Sequence, residues 1–262
     1  MENNRRGFLK IAGISALGLG AGPFANNLFA SGPSVPSPIG DVSAKPTALK
    51  AERWAMVVDV KALLKDDKYK KCIEVCHSIH NVPNIKNKKH EIKWIWEDTF
   101  EHVFPEQEYE HLPEALKEAP FMVLCNHCAK PACVRACPTK ATFQRDDGIV
   151  LMDFHRCIGC RFCMAACPYG SRSFNFRDPR PFLESQNVNF PTRMKGVVEK
   201  CNFCAERLAN GQMPACVEVS EGAILFGDLH DPNSEVSQKL NEEHAIRRKT
   251  GLGSGPQIYY IV

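Results

Sequence analysis

The 262-residue sequence carries no nucleotide-binding glycine loop, no His pair spaced for a metallohydrolase, and no Ser/His/Asp set that stands out. A haem-attachment Cys-x2-Cys-His motif is also missing. No apolar run approaches the ~18–20 residues needed to span a bilayer. The formal net charge is +3, too small to argue for a nucleic-acid partner. Apolar residues make up 44 %, ordinary for a globular chain, and the length suits one or two domains.

What the chain has in excess is cysteine. There are 13, and all but two fall into three tight ladders. The first reads Cys125-x2-Cys128-x4-Cys133-x3-Cys137-Pro138 and the second Cys157-x2-Cys160-x2-Cys163-x3-Cys167-Pro168. The third reads Cys201-x2-Cys204-x11-Cys216. In runs of this kind three close cysteines hold one iron–sulfur cube, and the cysteine before proline crosses to a neighbouring cube. A structural zinc site would need only four ligands and no Cys-Pro crossover. Cubes bonded to thiolates also act as internal staples, which lowers the demand on the hydrocarbon core.

The N-terminus has the order of a targeting segment. Asn4-Arg5-Arg6-Gly7-Phe8-Leu9-Lys10 is a twin-arginine signature. A modest apolar stretch, Ile11 to Ala21, follows, and then small residues up to Ala30, after which cleavage is expected. Many cysteines in an exported chain ordinarily suggest disulfides. The twin-arginine route instead resembles the one used for proteins exported already folded, so clusters loaded in the reducing cytoplasm would leave no thiolates free to pair. Residues 1–30 are therefore expected to be a signal peptide, 31–50 a Pro/Ser/Ala-rich linker, and 51–262 a multi-cluster domain. The expected location is periplasmic, with attachment to the membrane through partner subunits.

Short strands are expected at Trp54–Val60 and Ile149–Phe154, each leading into a cysteine region, and at Ala141–Gln144, Ser173–Phe176 and Ala223–Phe226, each following one. The recurring strand–ladder–strand unit predicts an α+β fold of duplicated bacterial-ferredoxin-like repeats with loop and helix insertions. A cysteine-free insertion at 84–120 holds Trp94, Trp96, Phe100, Phe104 and Tyr109. Lys93–Phe104 reads as an amphipathic helix, and the aromatics as either a packing flap or a docking surface. The tail at 250–262 ends in a strand-prone run that would add to a sheet edge or dock on another subunit.

The order of cysteine regions, with details such as Leu124-Cys-Asn-His-Cys128, Cys157-Ile-Gly-Cys160 and Cys201-Asn-Phe-Cys204, resembles the four-cluster ferredoxin subunits of molybdenum reductases. That resemblance runs from about Trp54 to the C-terminus. In that family four ladders pair as first with fourth and second with third. The resemblance implies one cube on Cys125, Cys128, Cys133 and Cys167, a second on Cys157, Cys160, Cys163 and Cys137, and a third on Cys201, Cys204, Cys216 and Cys76. The outer pair departs from the pattern. Counting back from Cys76, the expected positions hold Cys72, Tyr69 and Asp66, and the end of the last ladder holds Ser220. Under the crossed pairing all these vacancies serve one cube, which is therefore expected to be missing. Three [4Fe-4S] clusters on twelve cysteines are expected, with Cys72 free. The charged run Lys65–Lys71 reads as a solvated face, and Tyr69 as a filler of the vacated volume. His127 is read as a hydrogen-bond donor to cluster sulfur rather than a ligand. Lys140, Arg156, Arg161 and Lys200 are read as either counter-charges to the clusters or plain surface cations.

These readings imply an electron-transfer subunit that makes and breaks no substrate bonds. The chain most resembles the periplasmic iron–sulfur subunit of the membrane complex that accompanies dissimilatory sulfite reductase. That resemblance implies a polytopic quinone-interacting membrane subunit and a periplasmic multihaem cytochrome c as partners, in sulfur metabolism. The alternative is the ferredoxin subunit of a molybdopterin-containing polysulfide- or tetrathionate-type reductase, or of a nitrite-reductase-like quinol-oxidising complex. A protein of another class, whose cysteines bind zinc or form disulfides, would be colourless.

Overall fold

Both ends of the cysteine-rich region meet in one sheet. Strand β1 (Trp54–Asp59) is buried on both faces, which is why its sequence, Trp-Ala-Met-Val-Val, is a continuous apolar run and not an alternating one. It lies between β8 (Ile224–Asp228), antiparallel, and β9 (Ile258–Ile261), parallel, with Met56 opposite both Phe226 and Ile258. One face of this sheet joins the main core through Met56, Val58, Ile258 and Tyr260. The other packs Ala55, Val57 and Ile261 against Val236 of a helix at Glu235–Glu242. The computed structural model describes residues 45–107 and 113–262. The expected signal segment, the linker up to residue 44, and Tyr109 lie outside the described residues.

Three hairpin-like pairs complete the strands: β2 (Ile95–Asp98) with β3 (Phe121–Leu124), β4 (Thr142–Gln144) with β5 (Val150–Met152), and β6 (Ser173–Phe174) with β7 (Val198–Glu199). The five strands read from the sequence are all present within a few residues. Their pairing carries topological information. β1 precedes Cys72 and Cys76, and β8 follows Cys216, so the first and last cysteine regions share a sheet. β4 follows the ladder ending at Cys137, and β5 precedes the one starting at Cys157, so the middle two also share one.

The helices are short. In chain order they are α1 (Val60–Leu64), α2 (Lys68–Ile79), α3 (Phe100–Val103), α4 (Glu114–Lys117), α5 (Ala132–Arg135), α6 (Phe162–Ala165), α7 (Ala205–Leu208), α8 (Ala215–Val219) and α9, the Glu235–Glu242 helix. Asp59 caps α1, its carboxylate accepting from Ala62 N at 2.8 Å. Single-turn helices α5, α6 and α8 carry Cys133, Cys163 and Cys216, while Cys72 and Cys76 sit on the longer α2.

The insertion differs from expectation. Lys93–Phe104 is not one helix but strand β2 followed by the single turn α3. Trp94, Ile95 and Trp96 are all buried in succession, and three consecutive residues sweep most of a helix circumference, which a one-sided helix cannot bury. A strand enclosed on both faces can. Trp94, Trp96, Phe100 and Phe104 are therefore core residues and not a docking surface, with Phe104 edge-on to Phe121 and Tyr260. The C-terminal tail is spent within the chain, as β9 on the edge of β1.

Candidate metal centre

The ladder loops repeat a local geometry. The residue before the second cysteine of each ladder, His127, Gly159 and Phe203, has positive φ of 40°, 70° and 56°. Left-handed backbone is uncommon for non-glycine residues and marks a turn that tertiary structure enforces. At Gly159 a Cβ would also approach the Gly196 carbonyl oxygen to 2.5 Å, so glycine is required there.

The cysteines gather in three sets. Cys128 is pushed up to about 12, first by burial and then by negative charge on Cys125, Cys133 and Cys167. Cys167 is raised by burial and by the same Cys125 and Cys133. Cys125, Cys128, Cys133 and Cys167 thus converge across two ladders. A second group, Cys137, Cys157, Cys160 and Cys163, lines one small cavity together with Met152 and Ile158. Burial works against the Cys137 thiolate, but hydrogen bonds from the Thr142, Thr139 and Ala141 backbones and the Thr139 hydroxyl hold the thiol below its usual value. In the third group Cys76 is raised by burial and then by Cys201, Cys204 and Cys216. The raised thiols Cys76, Cys128 and Cys167 are protonated when bare, and binding iron displaces the protons. Each group offers four sulfurs, the donor set of a [4Fe-4S] cube.

The Cys125 group adjoins both of the others. Cys201 is pushed up to about 12 by burial and then by Cys125, so the Cys76/Cys201 group adjoins the Cys125 group. Cys163 is raised by burial and feels Cys133, so the Cys125 group adjoins the Cys157 group. The His127 ring stacks on Phe203 with centroids 3.7 Å apart, joining the first of these contacts. His127 Nδ1 accepts from Val150 N at 3.0 Å, which places the ring proton on Nε2; that nitrogen is buried and makes no full hydrogen bond. Burial, Lys200 and Arg172 hold His127 well below the usual imidazole value, so it is neutral.

The region where a fourth set is expected to be missing is closed. Tyr69 and Cys72 face inward from α2, and α2 packs on α8. Cys72 Sγ donates to the Cys216 carbonyl at 3.3 Å. Ser220 Oγ donates to Val217 O at 2.7 Å and accepts from Ile224 N at 3.0 Å. Lys68 pairs with Glu221 at 3.1 Å across the same junction. Cys72 and Ser220 are 0 % exposed, so no water-sized hole adjoins either side chain. Asp66, with φ of 55°, points to solvent with its charged neighbours.

Of the four cations flanking the ladders, Lys140, Arg156 and Arg161 are on the surface. Arg156 pairs with Asp153, and Arg161 lies over Phe174 and Phe176. Lys200 alone is buried, its ammonium donating to the Val150 and Cys201 carbonyls. Three features escaped the sequence reading. Arg172 is buried between the first two sets. His80 bonds Glu206 at 2.7 Å on the rim of the third set, where the ligand atoms of His80, Cys204 and Glu206 lie within 4.8 Å of one another. Arg193 and Glu199 form an ion pair at 2.6 Å with both side chains fully buried. Glu199 and Glu206 lie two residues from Cys201 and Cys204, but their partners Arg193 and His80, and Arg172, lie outside the ladders.

Grouped thiols on duplicated strand–ladder units define an iron–sulfur protein of ferredoxin type. Residues 119–179 match the family described as a 4Fe-4S dicluster domain. The chain is 39 % identical to an Hdr-like menaquinol oxidoreductase iron-sulfur subunit 1 of Archaeoglobus fulgidus, over 98 % of this chain and 97 % of that one. It is 32 % identical to the menaquinone reductase iron-sulfur cluster-binding subunit of Nitratidesulfovibrio vulgaris, over 80 % and 88 %. It is 42 % identical to a tetrathionate reductase subunit of Salmonella typhimurium, over 53 % and 50 %. The chain belongs to the family of [4Fe-4S] ferredoxin-type subunits that transfer electrons within oxidoreductase complexes, and it is not the catalytic subunit. Among the described residues no helix is long and apolar enough to cross a membrane.

Proposed function

We propose that this chain is an exported electron-transfer subunit holding three [4Fe-4S] clusters. The first is held by Cys125, Cys128, Cys133 and Cys167, the second by Cys137, Cys157, Cys160 and Cys163, and the third by Cys76, Cys201, Cys204 and Cys216. The observation that carries the reading is the crossover: Cys167 lies with the Cys125 ladder, Cys137 with the Cys157 ladder, and Cys76 with the Cys201 ladder. When bound, each cube takes up and releases one electron. The protein's part is to fix the spacing of the sets, exclude water and place cations. Cys72 stays a free thiol, because Tyr69, Ser220 and Asp66 stand where its companion ligands would be, its neighbour Cys216 belongs to the third set, and the helix junction is filled.

The resemblance to menaquinol- and menaquinone-linked subunits favours a quinone-interacting membrane subunit as one partner. A periplasmic multihaem cytochrome c is the proposed second partner, in a sulfur-metabolising complex, with the twin-arginine segment as the export signal. The Cys157–Cys163 loop presents Ile158 at 67 % and Phe162 at 60 % exposure. Apolar side chains this exposed beside a metal-binding loop suit a docking face. The likeness to a tetrathionate reductase subunit keeps a second reading in play, in which the partner is a molybdopterin subunit. Purification of the native complex distinguishes them. A multihaem cytochrome and a polytopic membrane protein are expected to co-purify, and a molybdopterin subunit in their place would overturn the first reading.

A further inference from the structure

Arg172 is a buried cation without a carboxylate. It is 5 % exposed, and its Nη1 donates to Thr142 Oγ1 at 3.0 Å and lies 3.7 Å from Met152 Sδ, which fixes the guanidinium against the β4–β5 hairpin. Its Nη2 is buried and makes no full hydrogen bond, while the guanidinium reaches toward the Cys133 and Cys163 sulfurs. Arg193 is also buried and has Glu199 for a counter-ion; Arg248, buried too, bonds backbone carbonyls, and among the described residues Arg172 has no carboxylate partner. The negative groups that act on it are the sulfurs of Cys133, Cys163 and Cys125. Cys133 and Cys125 belong to the first set and Cys163 to the second, so the guanidinium stands between two sets and touches both fields.

An uncompensated guanidinium in a dry interior is strongly unfavourable. Neutral thiols do not balance it. Thiolates gathered on iron carry net negative charge and would, and an N–H aimed at cluster sulfur is one of the protein's levers on reduction potential. We infer that Arg172 is a shared positioning cation, whose Nη2–H donates toward sulfur between the Cys125 and Cys157 sets and raises the potentials of both together. The inference rests on the ligand sets proposed above. It gives the Thr142–Met152 clamp a purpose, since the clamp holds the guanidinium where sulfurs of the Cys125 and Cys157 sets are the ones that act on it.

The test is a redox titration of the full-length protein, followed by low-temperature electron paramagnetic resonance with iron counted in each sample. Arg172→Gln should lower the midpoints of two clusters, each by about tenfold in the one-electron equilibrium, which is ~59 mV, and leave the third in place. Arg172→Lys keeps the charge but loses the fork, so smaller shifts in the same two clusters are expected. Unchanged midpoints with full iron would overturn the inference, as would a shift in one cluster alone or in all three equally. Loss of iron in both variants would make Arg172 a structural residue and refute it as well. If the unsubstituted protein shows fewer than two titrating cubes, the ligand assignment fails instead.

Discussion

Replacing Arg193 by methionine removes the cation from a fully buried ion pair. Arg193 Nε donates to Glu199 at 2.6 Å, Nη1 to His80 O at 2.5 Å, and Nη2 to Asn81 O at 2.7 Å. Glu199 also accepts from Trp94 Nε1 at 3.0 Å and from Asn175 Nδ2. The pair ties the end of α2, just beyond Cys76, to the strand that leads into Cys201. Arg193→Met strands a buried carboxylate on two neutral donors, and breaking a buried pair from one side costs about 3–5 kcal/mol. At a urea slope of ~2–3 kcal/mol per M this lowers the unfolding midpoint by roughly 1–2.5 M. Cluster absorbance and far-UV ellipticity should be followed together, and the midpoint of each should fall. Arg193→Met/Glu199→Leu should cost less than the sum of the single changes, because no charge is then left unpaired. A single-variant loss below about 1 kcal/mol, the size typical of an exposed pair, would refute the idea that this contact holds Cys76 beside the Cys201 ladder.

Other outcomes follow from the same geometry. Cys76→Ala should lose about four irons per chain, while Cys72→Ala should keep them all and cost about 1 kcal/mol of packing; iron loss from Cys72→Ala would show that the fourth set still binds a cluster. Burial pushes the Asp228 carboxyl up, but N–H donors from Glu52 at 2.7 Å and from Arg53 and His230 at 3.0 Å outweigh it, and the net effect holds the group below the usual carboxylate range. The stabilisation is thus present above the ordinary Asp value and disappears as pH falls through the depressed one. Asp228→Ala should therefore cost about 1–2 kcal/mol at neutral pH, and a cost that did not shrink in acid melts would rule out this linkage.

The parts of the molecule that were legible in the sequence are those set by local rules. Cysteine spacing marked the ladder loops, because ligand loops must turn within a few residues, and short β-branched runs marked the five strands. Tyr69 and Ser220 were read as replacements for ligands, and both are buried at one helix junction. The stretch from Lys93 was misread because its conformation is decided by pairing with Phe121–Leu124, a partner that helical periodicity does not see. The buried cations were likewise hidden. Lys140, Arg156 and Arg161 sit next to ladders yet face solvent, whereas Arg172 and Arg193, several residues away, point inward. Proximity along the chain to a ligand is a poor guide to which side of the backbone a long side chain takes. The parallel pairing of Ile258–Ile261 with β1 also joins residues some two hundred positions apart, and nothing in the tail alone names that edge.

Counting iron and acid-labile sulfide on the purified full-length chain addresses the vacancy at the α2–α8 junction head on. Three cubes require about twelve of each per chain; about sixteen would mean that Asp66, Tyr69 and Ser220 do not mark an abandoned site and that a fourth cube is bound.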